Sequence, residues 1–291
     1  MKKARKLLIL LGLVLALLLT ACVNGDPDAT TESSAPDQTK QTDATNGSTD
    51  TTAAKTAPVV FPDAPEKAAV KALPEKYDAT TLVTAYWEEQ FKFSTLKNTE
   101  FYFSIPQIYP FSEDAVACQQ EIYELFQSDA EWPLMLLEDN GKKAVLLDKR
   151  EDIFFDRDQY RMCYSYQAGC CNDVLSIVIR INCMDVPRSD YHVFYLDLTT
   201  GKRLTAEEAN AKYAVDKADI KQAVEAFYRQ TNENVDENLD YYQANLKKTV
   251  ADENIGACRA FCTEKGKLMV VADIYTAGTV EKAENLIEIP A

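Results

Sequence analysis

Eight cysteines and one histidine are the side chains of this chain best suited to nucleophilic, redox or metal chemistry. Seven of the cysteines lie in the body of the sequence: Cys118, Cys163, Cys170, Cys171, Cys183, Cys258 and Cys262. None forms a Cys-x-x-Cys pair, and adjacent Cys170 and Cys171 are poorly placed to chelate one ion. With His192 as the sole histidine, a Cys/His zinc site lacks its usual partners, so no metal site is expected. Nucleophilic catalysis needs a base beside the nucleophile, and His192 heads a predicted strand with no Gly-x-Ser-x-Gly elbow or His-Glu-x-x-His motif anywhere. His192 is therefore read as a structural or surface residue. Asp152, Asp156 and Asp158 lack the glycine and the spacing of a calcium loop. Glu207, Glu208, Asp236, Glu237 and Asp240 read as solvated helix starts that suit the helix dipole. A glycosidase needs two carboxylates that can lie far apart in sequence, and nothing in the sequence singles out such a pair. No catalytic residue and no cofactor is expected. The aromatic load is 15 Tyr, 12 Phe and 2 Trp; Trp87 and Trp132 are the candidates for an exposed carbohydrate or protein surface.

Cys22 is a different case. Residues 1–21 carry cations at Lys2, Lys3, Arg5 and Lys6, then an apolar run from Leu7 to Leu19, and end in Leu19-Thr20-Ala21 before the cysteine. This is the pattern of a secretory signal peptide, with an apolar run shorter than the ~20 residues that span a bilayer. Leu-Thr-Ala-Cys resembles a bacterial lipobox, in which the cysteine is lipidated (commonly with palmitate) and becomes the new N-terminus. The expectation is a lipoprotein on the extracellular face of the bacterial cytoplasmic membrane, held through Cys22. Export permits disulfides, and seven remaining cysteines leave at least one unpaired. One or two bridges are expected among Cys163, Cys170, Cys171 and Cys183.

The chain is acidic, with 31 Lys+Arg against 46 Asp+Glu and a net charge of −15. Removal of the four leader cations leaves 27 against 46, or −19. Phosphate binding needs clustered Lys and Arg, so nucleic acid is excluded as a partner class. A cationic partner would be drawn in by a salt-sensitive long-range attraction, although such a charge also simply keeps a surface protein soluble.

Those residues must be positioned by the following elements. Residues 22–76 form the expected linker: from Val23 to about Ala57 almost nothing is apolar, which predicts a disordered tether, and Pro58 to Pro74 is proline-spaced and semi-extended. The folded module is placed at 77–291, with a sub-boundary near 187. Thr81 to Leu96 is ambiguous between helix and strand. Glu100 to Ile105 reads as a strand, Phe101 and Phe103 alternating with Tyr102 and Ser104. Ser112 caps a helix to about Phe126, with Val116, Gln119, Tyr123 and Phe126 at helical spacing, and Asn140-Gly141 marks a turn. A central hairpin joins Tyr160–Tyr166 to Val174–Ile181, and a third strand runs from Tyr191 to Leu198 into the Thr199–Lys202 turn. Thr205 and Glu208 form a capping box. Helices are expected from near Asp216 and over about Asp236–Val250. A closing hairpin, Ala257–Thr263 with Lys267–Ile274, precedes a strand at Leu286–Ile289. Cys258 and Cys262, four apart on one such strand and so ~13 Å from each other, cannot bridge. Helices and strands do not alternate regularly, so the fold class is α+β, antiparallel sheets with packed helices behind a disordered tether.

Phe194-Tyr-Leu-Asp-Leu-Thr-Thr-Gly-Lys-Arg-Leu-Thr-Ala-Glu-Glu208 resembles the aspartate, x, x, threonine-glycine-lysine, x, leucine-threonine signature of an extracellular module. That module is the pair of domains of unknown function found in the anti-sigma factor RsiV and the peptidoglycan deacetylase PdaC. Ser104-Ile-Pro-Gln-Ile, Val174-Leu-Ser-Ile-Val-Ile, Phe261 with Gly266-Lys267-Leu268, Tyr275-Thr-Ala-Gly278 and Ile287-Glu-Ile-Pro290 resemble its other strands in order, over about residues 80–290. The family's glycine-glycine-alanine-histidine segment is replaced here by Asp185-Val-Pro-Arg-Ser-Asp-Tyr-His192, so no role is carried over to that loop. No stretch of these 291 residues resembles the cytoplasmic anti-sigma region or the deacetylase domain, so neither that mode of signalling nor that chemistry is expected. The resemblance implies a non-enzymatic binding or sensing module for a cationic wall-acting protein such as lysozyme. The alternative expectation is an accessory or hydrolase acting on cell-wall glycan.

Overall fold

The computed structural model describes residues 56–57, 59–93, 100–139, 144–147, 154, 162–183, 186–275 and 282–290. The leader, Cys22 and the Asp152–Asp158 acids lie outside them. The described elements are β1 (Thr56–Ala57), α1 (Ala79–Leu82), β2 (Val83–Phe93), β3 (Glu100–Ile108), α2 (Glu113–Asp139), β4 (Ala144–Leu146), β5 (Met162–Cys171), β6 (Val174–Cys183) and β7 (Val186–Asp197). They continue as α3 (Ala206–Tyr213), α4 (Lys217–Thr231), α5 (Asp240–Thr249), α6 (Asp252–Gly256), β8 (Arg259–Cys262), β9 (Leu268–Tyr275) and β10 (Lys282–Glu288). The fold is α+β. One sheet has the order β1-β4-β2-β3-β5-β6-β7 and the other β10-β9-β8. The pairings are antiparallel except that of β3 with β5, which is parallel.

The large sheet buries both faces, which is why its apolar residues do not follow a simple in-out alternation. One face carries Phe91, Phe101, Phe103, Ile105, Tyr164, Ile177, Ile179 and Phe194. Against it lies α2, through Ala115, Cys118, Ile122 and Phe126. Gln119, at helical spacing among those apolar residues, is explained by the backbone it faces at the end of β3: it donates to the Pro106 carbonyl (2.9 Å) and accepts from Ile108 N–H (2.7 Å). On the other face, Val174, Val178, Tyr191 and Tyr195 pack against the small sheet and helices α3 to α6.

The hairpin β5–β6 turns on Asn172 and Asp173, both at positive φ (49° and 59°), the conformation that matches the strand twist in a two-residue loop. The turn after β7 is built by Asp197, whose carboxylate accepts the N–H groups of Thr199 (2.8 Å) and Thr200 (3.2 Å), and by Gly201 at φ 71°. It rests on the N-terminus of α2: a Cβ on Gly201 would lie 2.7 Å from Ser112 Cβ, and Arg203 donates its N–H to Asp114 while its guanidinium pairs with Glu121. The capping box of Thr205 and Glu208 is present, and Asp216 caps α4 in the same manner with Asp219.

Four expectations are corrected. The segment after Pro58 does not wait until Tyr77 to pack. Phe61 sits among Trp87, Phe103 and Phe126 with ring centroids 5.2, 5.4 and 5.8 Å away. Tyr123 and Tyr86 donate their hydroxyls to the carbonyls of Pro62 (2.6 Å) and Asp63 (3.0 Å), and Tyr109 to that of Ala72 (3.0 Å). Residues 59–76 are therefore a strap over the first core. Helix α2 runs to Asp139, past Phe126 and through Pro133. Cys258 is not on a strand with Cys262, because the short helix α6 ends just before it and β8 starts at Arg259.

The fourth concerns the disulfide. Of the expected cysteines, Cys171 bonds Cys262, outside the expected set, across 91 residues, with Cα atoms 6.0 Å apart. Cys170 and Cys171 point to opposite faces of β5, and only Cys171 faces the small sheet. The side chain of Cys183 lies outside the described residues.

Candidate functional site

On its second face the large sheet divides. The β6–β7 half carries Val174, Val178, Tyr191 and Tyr195 with the buried Ser176 and Arg180 among them and packs against the small sheet, whereas the β2–β3–β5 half carries Glu88, Gln90, Tyr102, Ser104, Ser165 and Gln167. Register explains the convergence: Glu88 stands opposite Ser104, Gln90 opposite Tyr102, and Tyr102 beside Cys163 in the parallel pair. The aromatic alternates of the same strands fill the first core, so period-two geometry sends these polar residues to one shelf.

The shelf forms a cleft of about 330 Å³ lined by Glu88, Tyr102, Ser104, Ser165, Tyr166 and Gln167, with Glu264 at its exposed rim and Phe154 and Thr80 beside it. Tyr102 donates its hydroxyl to Glu88 Oε1 at 2.5 Å. Burial, and then this hydrogen bond, hold the Tyr102 phenol protonated well above its ordinary range. Burial and then the negative charges of Glu88 and Glu264 push Tyr166 up to about 12. Ser165 is 2% exposed, and its Oγ and the Gln167 Oε1 are buried with no hydrogen-bond partner. Groups left so are costly unless something completes them. The described lining contains two carboxylates and no lysine or arginine. Chemically the cleft is rich in acceptors and carries two carboxylates, suited to a donor-rich group, while the buried Arg180 stands opposite Ser165 in the β5–β6 register and donates to the Phe154 carbonyl (2.6 Å). Ser165 has no hydrogen-bonded base, the arrangement that would activate a nucleophile.

Sequence reasoning alone singles out none of the cleft residues as a site. The available signal was a set of polar alternates in strands whose other positions are aromatic, and Tyr102 and Ser104 were visible as such.

The sequence candidates fall elsewhere. His192 is partly buried, held below its ordinary value by burial and then by Arg259, with no side-chain hydrogen bond of its own among the described residues. Its surroundings are structural: Arg259 pairs with Glu284 and donates to the Tyr191 carbonyl (2.8 Å), and Tyr191 N–H donates to Glu284 (2.7 Å), joining β7 to the small sheet. Asp197, the acid of the signature segment, is occupied by its turn and by Lys212 (3.3 Å). Glu208 completes its capping box, and Glu237 pairs with Arg229 (3.3 Å). Trp87 packs on Phe61, and the side chain of Trp132 lies outside the described residues.

Asp129 on α2 is a perturbed acid outside the cleft. Burial, then the charge of Asp190, pushes it up to about 6, and its Oδ2 has no partner. A carboxyl whose pKa is raised on folding stabilises the fold while protonated and loses that contribution as pH rises through the folded value. Asp129→Asn is therefore expected to raise stability at pH 7 by about 1–2 kcal/mol, after allowance for partial exposure. The gain should vanish below about pH 4, where the unfolded carboxyl is protonated too. Urea unfolding at pH 4 and pH 7 checks both parts.

Compared with models of known protein families and with curated proteins, the chain finds no match in either. Among the described residues, no helix is long and apolar enough to cross a membrane.

Proposed function

We propose that this chain is a lipid-anchored bacterial surface protein, held to the extracellular face of the cytoplasmic membrane through Cys22, whose α+β region is a non-enzymatic binding or sensing module of the RsiV-like and PdaC-like kind. Its partner is a cationic cell-wall-acting protein such as lysozyme. The observation that carries the reading is the cleft on the polar half of the large sheet, with its two carboxylates and unpaired acceptors and no basic side chain in the described lining. The surplus of acids over the whole chain acts in the same direction, steering a cation toward the surface before contact. The signature segment supports the family part of the reading through its turn, since Asp197 and Gly201 serve the backbone geometry rather than a ligand.

Binding of a c-type lysozyme to the full-length chain in non-ionic detergent, measured calorimetrically at about 20 and 200 mM salt, tests the proposal. Saturable binding that weakens at least tenfold at the higher salt is expected, because long-range attraction is screened. Absence of binding at low salt contradicts it. Hydrolysis of peptidoglycan by the chain, lost in Glu88→Gln, would instead assign the wall-glycan hydrolase reading.

A further inference from the structure

The geometry points to the cleft as a receptor for a single organic cation, the ammonium of a lysine or the guanidinium of an arginine carried by the partner, seated between Glu88 and Glu264 and hydrogen-bonded to Ser165 and Gln167. For the carrier of that cation the inference rests on the reading above; for the site itself it rests on the cleft alone.

Three observations combine. The charge is placed: Glu88 projects from the middle of β2 and Glu264 from the turn after β8, so the carboxylates reach the cleft from different sheets. The acceptors are idle: Ser165 is 2% exposed, yet its Oγ has no partner, and neither has the Gln167 Oε1. The walls suit a cation on an aliphatic stem, because Tyr102, Tyr166 and Phe154 line the cleft together with Ala79, Val83 and Ala168. An ammonium has three donors and no acceptor, and a guanidinium five. Either would satisfy the idle oxygens and the carboxylates together, which a hydroxyl or a carboxylate ligand would not. Glu88 is already preset by the Tyr102 hydroxyl at 2.5 Å, so little ordering is left for the ligand to impose. Of two other cavities, the larger groove of about 660 Å³ beside the strap has lysines and acids mixed along it (Lys67, Lys71, Glu66, Glu113, Asp114) and favours neither sign. The smaller one at α3 and α4 places Lys217 among its acids.

The test uses the full-length chain and three small probes, n-butylamine, ethylguanidine and n-butanol, titrated at low salt and followed by calorimetry and by the fluorescence of the cleft tyrosines, alongside the lysozyme titration. Saturable binding of butylamine or ethylguanidine and none of butanol is expected. Glu88→Gln should weaken cation binding about tenfold, the effect of one charged hydrogen bond. Ser165→Ala should weaken it several-fold while leaving the melting temperature unchanged or higher, since it deletes an unpaired buried hydroxyl; a merely structural serine would not separate the two readouts. Glu264→Gln, at an exposed position, provides a variant that retains the fold and should also weaken the cation. The amine should compete with lysozyme. Equal binding of butanol and butylamine, or full affinity in both Glu→Gln variants, overturns the cation site. The two proposals separate cleanly. Lysozyme binding that survives all three substitutions leaves the proposed function standing and sinks the cleft. Amine binding without lysozyme binding keeps the cleft, makes a free amine its ligand, and sinks the proposed partner.

Discussion

Gly169→Ala is expected to cost about 3 kcal/mol or more, or to prevent folding altogether. Gly169 lies on β5 where the large sheet meets the small one, and a Cβ there would sit 2.2 Å from the Cys262 carbonyl oxygen and 2.5 Å from that of Thr263. Neither obstacle is a side chain that can swing away. Both belong to backbone held in place: Ser176 Oγ donates to the Cys262 carbonyl (3.0 Å) and accepts its N–H (3.1 Å), and Tyr195 donates its hydroxyl to the Ala260 carbonyl (2.8 Å). The Cys171–Cys262 bond fixes the same junction covalently. Gly256→Ala is the matched control, because nothing lies within 4 Å of the added methyl and the site ends a helix, so a gain of up to about 1 kcal/mol is expected from the less flexible unfolded chain. Thermal and urea unfolding of the two variants side by side should give opposite signs. A Gly169→Ala protein as stable as the parent would mean that the two sheets do not meet as described.

The strap carries the second large effect. A chain beginning at Tyr77 loses Phe61, Val59 and Leu73 from the first core and the carbonyl partners of Tyr123, Tyr86 and Tyr109. Phe61→Ala alone is expected to destabilise by about 2–3 kcal/mol, toward the lower end for a core phenylalanine because the ring is only partly buried. The full truncation adds the exposed faces of Trp87, Phe103 and Phe126 and should lower the melting temperature by about 10 °C or more. Calorimetric scans of the parent, Phe61→Ala and the truncated chain should rank in that order. Equal melting of the parent and the truncated chain would return residues 59–76 to the status of a linker.

The strap also shows where sequence reasoning stops. Its proline spacing and low apolar content describe an extended chain correctly, but one aromatic residue, Phe61, decides whether that chain floats or packs, and the pocket receiving it is made by residues from β2, β3 and α2. Local chemistry was legible where the chain talks to itself. The Thr205–Glu208 box, the Asp216 cap, the Asp197–Gly201 turn and both hairpins follow from neighbours a few residues apart. Long-range pairing was not. The parallel contact of β3 with β5 spans a helix and a further strand, and the Cys171–Cys262 bond depends on which face of β5 meets β8. The cleft is hidden for the same reason: Glu88, Tyr102, Ser165 and Glu264 share no motif, and they meet only through the register of the large sheet and its packing against the small one.

The most direct measurement on the central claim, that this is a recognition module working through its acceptor-rich cleft, is amide hydrogen exchange of the full-length chain with and without an equimolar c-type lysozyme at low salt. Slowed exchange is expected in the segments that wall the cleft, around Ala85–Glu88, Tyr102–Ser104, Ser165–Ala168 and Glu264, with α4 and α5 unchanged. Uniform exchange with lysozyme present, or protection confined to α4 and α5, would contradict it.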